Sequence, residues 1–479
     1  SGLVGSEMCI RDSWEAALRT DRSVPAIARS ASTRPRPAPR DRDLVRAGVR
    51  ALWRLYAVRR RATLVAMTRD PSSTSPNAPD PRGVFSRARI ASACLRFSRT
   101  HAVLLVSALA AAATMLVVPP DASYLGYFDL KTLACLFGIL ALVGALRNAG
   151  VFEATARAMV ARFSTCRAAV AAIVGITLVL SMIATNDMAL IMMLPLCAAT
   201  LLKAGWERAL PFAFIMQSLA ANLGGMIVPF GNPQNLYLFE RFDIPLTDFL
   251  ATMALPFAVS VLLIGLSCAL FAKPTPRASE GRPAEGRHLA RSDVAPVDRR
   301  RAIAFGALLL VVIASVFRLV PYPVSLVAVV AGLLVLDRRA LRSVDFGLLL
   351  TFVCFFVFAG NMARIPSVEA VLSQAMADNA LLASAAASQI VSNVPAAVLL
   401  SHFTDSYQAL LVGVNIGGAG TLVASLASLI TFNQYRAVRA ALGRRPELAR
   451  QTASGFVARF TAFNFAFLAV LYAVCAVCG

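Results

Sequence analysis

Histidine is scarce: three in 479 residues, His101, His288 and His402. They lie far apart, which argues against a histidine-based metal centre. The nine cysteines are scattered, and Cys135, Cys197 and Cys354 fall in apolar tracts, so no disulfide framework is expected. Cys475 and Cys478 form one CxxC with no second pair, too few ligands for a zinc site. Charged residues are only 15% of the chain, against about 25% in a soluble domain. There is no Walker-type loop, so ATP hydrolysis would have to occur elsewhere. Paired carboxylates, a nucleophile–histidine arrangement and cofactor motifs are also missing, which leaves a membrane enzyme as a weak alternative.

Apolar sequence is abundant. Hydrophobic residues are 58% of the chain and the mean hydropathy is +0.67. Tracts of spanning length recur from His101 to the C-terminus, so the fold class is an all-α integral membrane protein. The net charge of +21 is uneven, with 20 Arg and 8 acidic residues in positions 1–100. That arm has no aromatic interleaving and reads as a cytoplasmic flank, not as a nucleic-acid binder. Ser23–Arg42 and Asp70–Pro81 have the composition of disorder. Ser1–Ser13 resembles a translated sequencing-adapter artefact, and the expected native start is Met67, so residues 1–66 need not be native. An Arg-rich transit peptide is the competing reading.

The chain divides into the basic arm (1–100), a first membrane repeat (101–272), a cytoplasmic linker (273–301) and a second repeat with an extra helix (302–479). The organising stretch is Ser181–Leu190, where Thr185, Asn186 and Asp187 interrupt an apolar tract. A buried ionisable group at membrane depth costs about 3 kcal/mol or more, which points to function. Val391-Ser-Asn-Val-Pro395 is its counterpart in the second half. Asn222-Leu-Gly-Gly225 follows the first break and Asn415-Ile-Gly-Gly418 follows the second. Asp129 and Asp345 open matching spans as helix caps. Arg147 and Arg364 flank spans. The arms around the Thr185 break measure about 14–17 residues, short of a full crossing, and Ala380–Leu400 is short-armed too, which suggests two re-entrant hairpins.

Placing the basic arm, Arg157–Arg167, the linker, Arg338–Arg342 and Arg436–Arg450 on one side gives a single threading. It has about 9–11 transmembrane helices plus two re-entrant hairpins. Phe346–Gly360 then runs opposite to Leu130–Leu146, an inverted-topology repeat. The N-terminus is cytoplasmic and the protein sits in the inner (plasma) membrane.

A hairpin tip leaves helix ends with unpaired N–H and C=O groups inside the membrane. Amides and hydroxyls add oxygen ligands and donors. Thr185, Asn186, Asp187 and Asn222 are expected to form one binding cluster. Ser392, Asn393, Asn415 and Thr421 are expected to form its pseudo-symmetric partner, with Asn232 in the Gly-Asn-Pro break between Asn222 and the end of the first half. Na⁺ would sit at Asn186, Asp187 and Asn222, and at Asn393 and Asn415. Gly224, Gly225, Gly417 and Gly418 let the backbone open and approach a ligand. Any one of these motifs is more often a turn, a cap or close helix packing. Four in ordered pairs at membrane depth favour a site.

At these residues the sequence resembles the ion transporter superfamily of divalent-anion/sodium symporters, citrate permeases and arsenite permeases. Thr185–Leu190 and Ala221–Asn235 are similar to its first hairpin and following break, and Ser392-Asn393 with Asn415–Leu426 to the second set. The resemblance covers roughly Ala102–Cys478. It implies a scaffold domain and a transport domain, a homodimer, and an elevator movement. It also implies cation-coupled transport of a small anionic substrate across the lipid bilayer. Dicarboxylate symporters of the group carry Ser-Asn-Thr at both tips, whereas the tips here read Thr-Asn-Asp and Ser-Asn-Val-Pro. Asp187 would repel a dianion unless protonated or cation-paired. The leading expectation is a secondary transporter of an inorganic or organic anion, with no cofactor and Na⁺ or H⁺ as coupling ion. Alternatives are a cation/proton antiporter and an arsenite-type efflux permease.

Overall fold

Polar caps set the helix starts. In the computed structural model, which describes residues 102–151, 163–275, 298–342, 344–442 and 452–478, Asp129 accepts from Thr132 N and Asp345 from Leu348 N. Both cap helix starts, as expected. The basic arm, the stretch carrying Arg157 and Arg162, most of the linker and the loop after Leu442 lie outside the described residues. In chain order the helices are α1 (Ala102–Val117), α2 (Leu130–Asn148), α3 (Cys166–Ala184), α4 (Asn186–Lys203), α5 (Leu210–Gly224), α6 (Pro233–Arg241) and α7 (Leu246–Phe271). The second half has α8 (Arg299–Val316), α9 (Tyr322–Leu336), α10 (Arg338–Arg342), α11 (Phe346–Met362), α12 (Pro366–Val391), α13 (Asn393–Leu400), α14 (Tyr407–Ile416), α15 (Leu426–Leu442) and α16 (Ala453–Cys478).

No strand occurs among the described residues, so every long apolar stretch satisfies its backbone internally, as a bilayer requires. Among the described residues, five helical segments are long and apolar enough to cross a membrane: α2, α3, Glu207–Ile227, α7 and α16. The pair α11–α12, bent by 98°, adds a sixth if it counts as one span. Shorter apolar helices are Val103–Val117, Asn186–Leu202, α9 and α14.

Hydrogen bonds and close approaches give the direction of both hairpins. Gln217 of α5 donates to Thr177 of α3, and Ser181 further along α3 reaches the carbonyl of Ala220. So α3 and α5 run parallel. α4 starts beside Asn222 and returns to the start of α5, so α3 and α4 are the two arms of a hairpin with Thr185 at its tip. In the second half, Cβ atoms at Gly413 and Gly417 would press on Ser384 and Ser388, so α12 and α14 run parallel. α13 turns back, with Ser392 at the tip.

The arms differ from expectation in length. α3 and α4 have 19 and 18 residues, about 28 Å and 27 Å at 1.5 Å per residue. The excess is Cys166 and Arg167 at the base of α3, which Thr165 caps, and in α4 Asn186 and Asp187 at the tip with Lys203 at the base. α12 has 26 residues but breaks at Asn379 (φ −160°, ψ 88°), so its hairpin arm begins at Ala380, as the sequence suggests.

Helix α6 ties the hairpin region to the first spans. Tyr237 shares a hydrogen bond of 2.9 Å with Ser401 at the base of the second hairpin. At its far end Glu240, 3% exposed, pairs with Lys131 of α2 at 2.5 Å and lies 3.9 Å from Arg318 after α8. Arg318 also holds the Phe239 carbonyl at 3.0 Å and stacks over the Phe239 ring at 5.0 Å. On the exposed surface, Arg364 grips Asp121 and Tyr127, and its guanidinium holds the Asp121 carboxyl below the ordinary carboxylate range.

Glu240→Ala should therefore destabilise the fold. Removing one member of a buried pair costs about 3–5 kcal/mol, and the partly exposed Lys131 and Arg318 reduce that to on the order of 2 kcal/mol. Thermal unfolding in detergent measures it. A Glu240→Ala protein melting with the wild type would show that the cluster carries no stability.

Candidate functional site

The two tip residues share an unusual backbone. Thr185 has φ 60° and ψ 154°, and Ser392 has φ 77° and ψ 155°. This region is essentially reserved for glycine and costs about 1–3 kcal/mol for other residues. A hydroxyl residue is held there in both halves. Each is the N-cap of the returning helix, yet neither hydroxyl caps it. Each is followed by an Asn whose Oδ1 accepts from the next backbone N–H, Asp187 in one tip and Val394 in the other.

Between the tips lies one continuous, buried network of amides and hydroxyls. Asn186 Nδ2 donates to Asn222 Oδ1 at 3.2 Å, and Ser425 Oγ donates to the same oxygen at 2.7 Å. Asn222 Nδ2 reaches the Gly418 carbonyl at 3.4 Å. Asn232 Nδ2 spans Asn222 O at 3.3 Å and Asn415 Oδ1 at 3.4 Å. Gln234 donates to Asn415 Oδ1 at 3.2 Å, and Asn415 Nδ2 donates to Asn235 Oδ1 at 2.6 Å. The second tip joins through Asn393 N and Ser392 Oγ, both donating to Ala424 O, at 2.9 and 3.3 Å.

The expected pair of separate clusters, one per half, is thus one shared cluster. Asn222 binds Ser425 and Gly418 of the second half besides Asn186, and Asn415 binds Asn232, Gln234 and Asn235 of the first half besides Leu411. Asn186 and Asn222 do meet, whereas Asn393 and Asn415 have no direct hydrogen bond. Gly418 lies between them, where a Cβ would stand 3.1 Å from Asn393 Nδ2. Thr421 sits apart and braces Gln389 through its N–H and hydroxyl. Gly224 and Gly417 face Ser181 and Ser388, and a Cβ on either would meet those side chains at 2.6 and 2.8 Å. These two glycines admit a neighbouring helix arm. Gly225 packs on Asn232 in the same way. Asp187 sits in the first turn of α4, with Oδ1 buried and without a hydrogen-bond partner among the described residues.

Several participants were not singled out from the sequence. Asn235 and Gln234 stand in the quoted Gly-Asn-Pro-Gln-Asn run and could have been read from it. Ser425 lies in the Asn415–Leu426 run that carries the resemblance, and Gln389 has no such signal. Gln389 Nε2 holds the carbonyls of Gly417 and Ala419 at 2.7 and 3.2 Å, bracing the break after α14.

Helices α4, α6, α13 and α15 all begin at this network, and α5 and α14 end at it. Helix starts present N–H groups and positive dipole ends, which suit an anion or a polarised oxygen. Helix ends present carbonyl oxygens, which suit a hard cation. Every side chain hydrogen-bonded in the network is a neutral amide or hydroxyl, and Asp187 adds the carboxylate beside it.

Comparison with known proteins agrees with this architecture. The citrate transporter family profile matches residues 90–412, a window holding both tips and Asn222 and ending just before Asn415. Inner membrane protein YbiR of Escherichia coli (strain K12) is 31% identical over 306 residues, covering 63% of this chain and 79% of that protein. The uncharacterized transporter MJ0456 of Methanocaldococcus jannaschii is 28% identical over 306 residues, 63% of this chain and 80% of that one. The silicon efflux transporter LSI3 of Oryza sativa subsp. japonica is 31% identical over 136 residues, 28% of this chain and 27% of that one. With its set of apolar helices, the chain is a multi-pass membrane protein and belongs to the citrate transporter (CitMHS) family.

Proposed function

We propose that this protein is a secondary active transporter that carries a small inorganic or organic anion, coupled to Na⁺ or H⁺. The observation that carries the reading is the pair of strained hydroxyl tips, Thr185 and Ser392, held against one buried amide network. Strain of this kind persists only where the surroundings impose it, and it clusters at functional sites. The substrate binds between the tips, on the N–H groups of α4 and α13 and on the amides of Asn222 and Asn232. The coupling cation binds at Asn186, Asp187 and Asn222, or a proton binds at Asp187. Asn393 and Asn415 serve a second cation.

Alternating access follows an elevator movement, in which the hairpins travel as one body against the remaining helices. The matched tips and matched glycine–serine contacts in the two halves support an internal repeat, and its inversion rests on the placement of the basic clusters. Placement in the inner membrane with a cytoplasmic N-terminus rests on the basic clusters and on the relative named as an inner membrane protein. A homodimer rests on the family resemblance alone.

A second reading, efflux of a neutral oxyacid of the arsenite or silicic acid kind, has its own support. The network contains no lysine or arginine to neutralise an anion, and one relative is named for silicon efflux. Substrate-dependent melting separates the two. Purified protein is screened with sulfate, phosphate, citrate, succinate, arsenite, antimonite and silicic acid, each in Na⁺ or K⁺ at two pH values. Stabilisation by one anion only in Na⁺, or only at the lower pH, supports symport. Stabilisation by a neutral oxyacid alone moves the assignment to efflux. Stabilisation by Na⁺ or Li⁺ without any anion effect indicates a cation/proton antiporter.

Asn186→Ala and Asn393→Ala should each abolish the ligand-induced shift while the protein still folds. An unchanged shift in both would remove the tips from the site. Asp187→Asn should leave substrate stabilisation in place but cancel its dependence on Na⁺ or pH. Retained ion dependence would exclude Asp187 from coupling. Thr185→Gly and Ser392→Gly relieve the backbone strain and should raise stability by about 1 kcal/mol or more. They should also weaken substrate stabilisation, because the tip hydroxyl is lost. A glycine variant that is more stable and binds normally would show that the strain has no functional role.

A further inference from the structure

A cavity lies away from the tips, on the outside of the bundle. It is an open groove of about 520 Å³ between α3 and α7. Ala171, Gly175 and Val179 line it from α3, and Val261, Gly265 and Ala269 from α7. All six are exposed. Its walls are almost wholly apolar, but its mouth is cationic. Arg167 stands there, and its Nε donates to the Ala272 carbonyl at 2.7 Å. Cys166 N donates to Thr275 O at 2.9 Å, so two bonds clasp the base of α3 to the chain after α7. Thr165 and Pro274 complete that end, and the exposed Lys273 adjoins it.

We propose that this groove is a binding site for an anionic phospholipid. One acyl chain lies in the slot and the phosphate is held by Arg167 and Lys273. The slot runs from Ala168 to Val179 along α3, about 16 Å at 1.5 Å per residue, which suits most of an acyl chain. An apolar slot with basic residues at one end matches a lipid in both shape and charge, since basic pockets between membrane helices select acidic head groups. A second protein chain would need no cation at the mouth of the slot. Because α3 is one arm of the first hairpin, the bound lipid braces that arm against α7. The site owes nothing to the identity of the transported substrate.

The glycines make the test clean. A Cβ added at Gly175 or Gly265 meets nothing within 4 Å, so a larger side chain there fills the groove without disturbing the helices. The full-length protein is delipidated in detergent and melted with phosphatidylglycerol or phosphatidylcholine. Phosphatidylglycerol should raise the melting temperature of the wild type by several degrees more than phosphatidylcholine does. Gly175→Leu should keep the wild-type baseline and lose that difference. Arg167→Gln should respond equally to both lipids. Equal stabilisation of the wild type by both lipids would overturn the proposal. So would a Gly175→Leu protein that still prefers phosphatidylglycerol, or one that loses a dimer on size analysis, which would assign the groove to a second copy.

Discussion

Asn222 carries the contact on which the rest depends. Its Oδ1 takes hydrogen bonds from Asn186 of the first tip and Ser425 of the second half, and its Nδ2 donates to Gly418. Inside an apolar layer a broken helix leaves N–H and C=O groups that water cannot reach, and each unpaired group costs several kcal/mol. The fold breaks helices near this point in both halves, after α3, α5, α12 and α14. Those breaks are tolerable because side-chain amides reach the freed carbonyls: Asn232 and Asn235 hold those of Asn222, Gly225, Met226 and Val228, and Gln389 holds those of Gly417 and Ala419. The two halves also meet crosswise, Asn222 with Ser425 and Gly418, and Asn415 with Asn232, Gln234 and Asn235. They are therefore joined by polar contacts at their centre and by apolar packing around it.

The close approach of helices serves the same end. Gly224 against Ser181 and Gly417 against Ser388 place the hairpin arms tightly on α5 and α14. The broken ends then fall within hydrogen-bond reach of the tips. A side chain at either glycine would push an arm away and open the network. α6 extends this rigidity outward. It begins at Asn232 in the network, meets Ser401 through Tyr237 in its middle, and ends at Glu240 in an ion cluster with Lys131 and Arg318. A movement of the hairpins relative to α2 has to reckon with that strut.

Much of this was legible in the sequence, for a physical reason. Polar triplets in apolar tracts are costly, so Thr185-Asn186-Asp187 and Ser392-Asn393 stand out, and they do mark the tips. Asp129 and Asp345 announced their helix starts because a carboxylate before an apolar run has one common use. The crosswise pairing was not legible. Repeat register aligns Asn222 with Asn415 but says nothing of which half satisfies which. The strain at Thr185 and Ser392 was hidden too, because positive φ is normally signalled by Gly or Asn, and here the context imposes it on hydroxyl residues. Gln389 was missed because a single amide on a helix of small residues looks like surface. The arms of the first hairpin are longer than the apolar runs on either side of the polar break, because the helices also take in Cys166, Arg167, Asn186, Asp187 and Lys203.

The two tips are alike in backbone and in their Asn, and they differ one residue later. Asp187 follows Asn186, whereas Val394 follows Asn393. Both residues occupy the same place, in the first turn of a helix that starts at the tip. In a network otherwise made of amides, hydroxyls and carbonyls, that difference puts an ionisable side chain at the first tip, where the gain of a proton changes the local charge by a full unit. A charge change in a poorly screened interior acts strongly on neighbouring helix ends, while amides merely reorient. On the proposed function, a proton or a paired cation would act through the carboxyl of the first tip, whereas the second tip could take a cation on neutral oxygens alone. The likeness of the two tips would then shape the substrate pocket, and their difference at Asp187 would give the cycle its ion dependence.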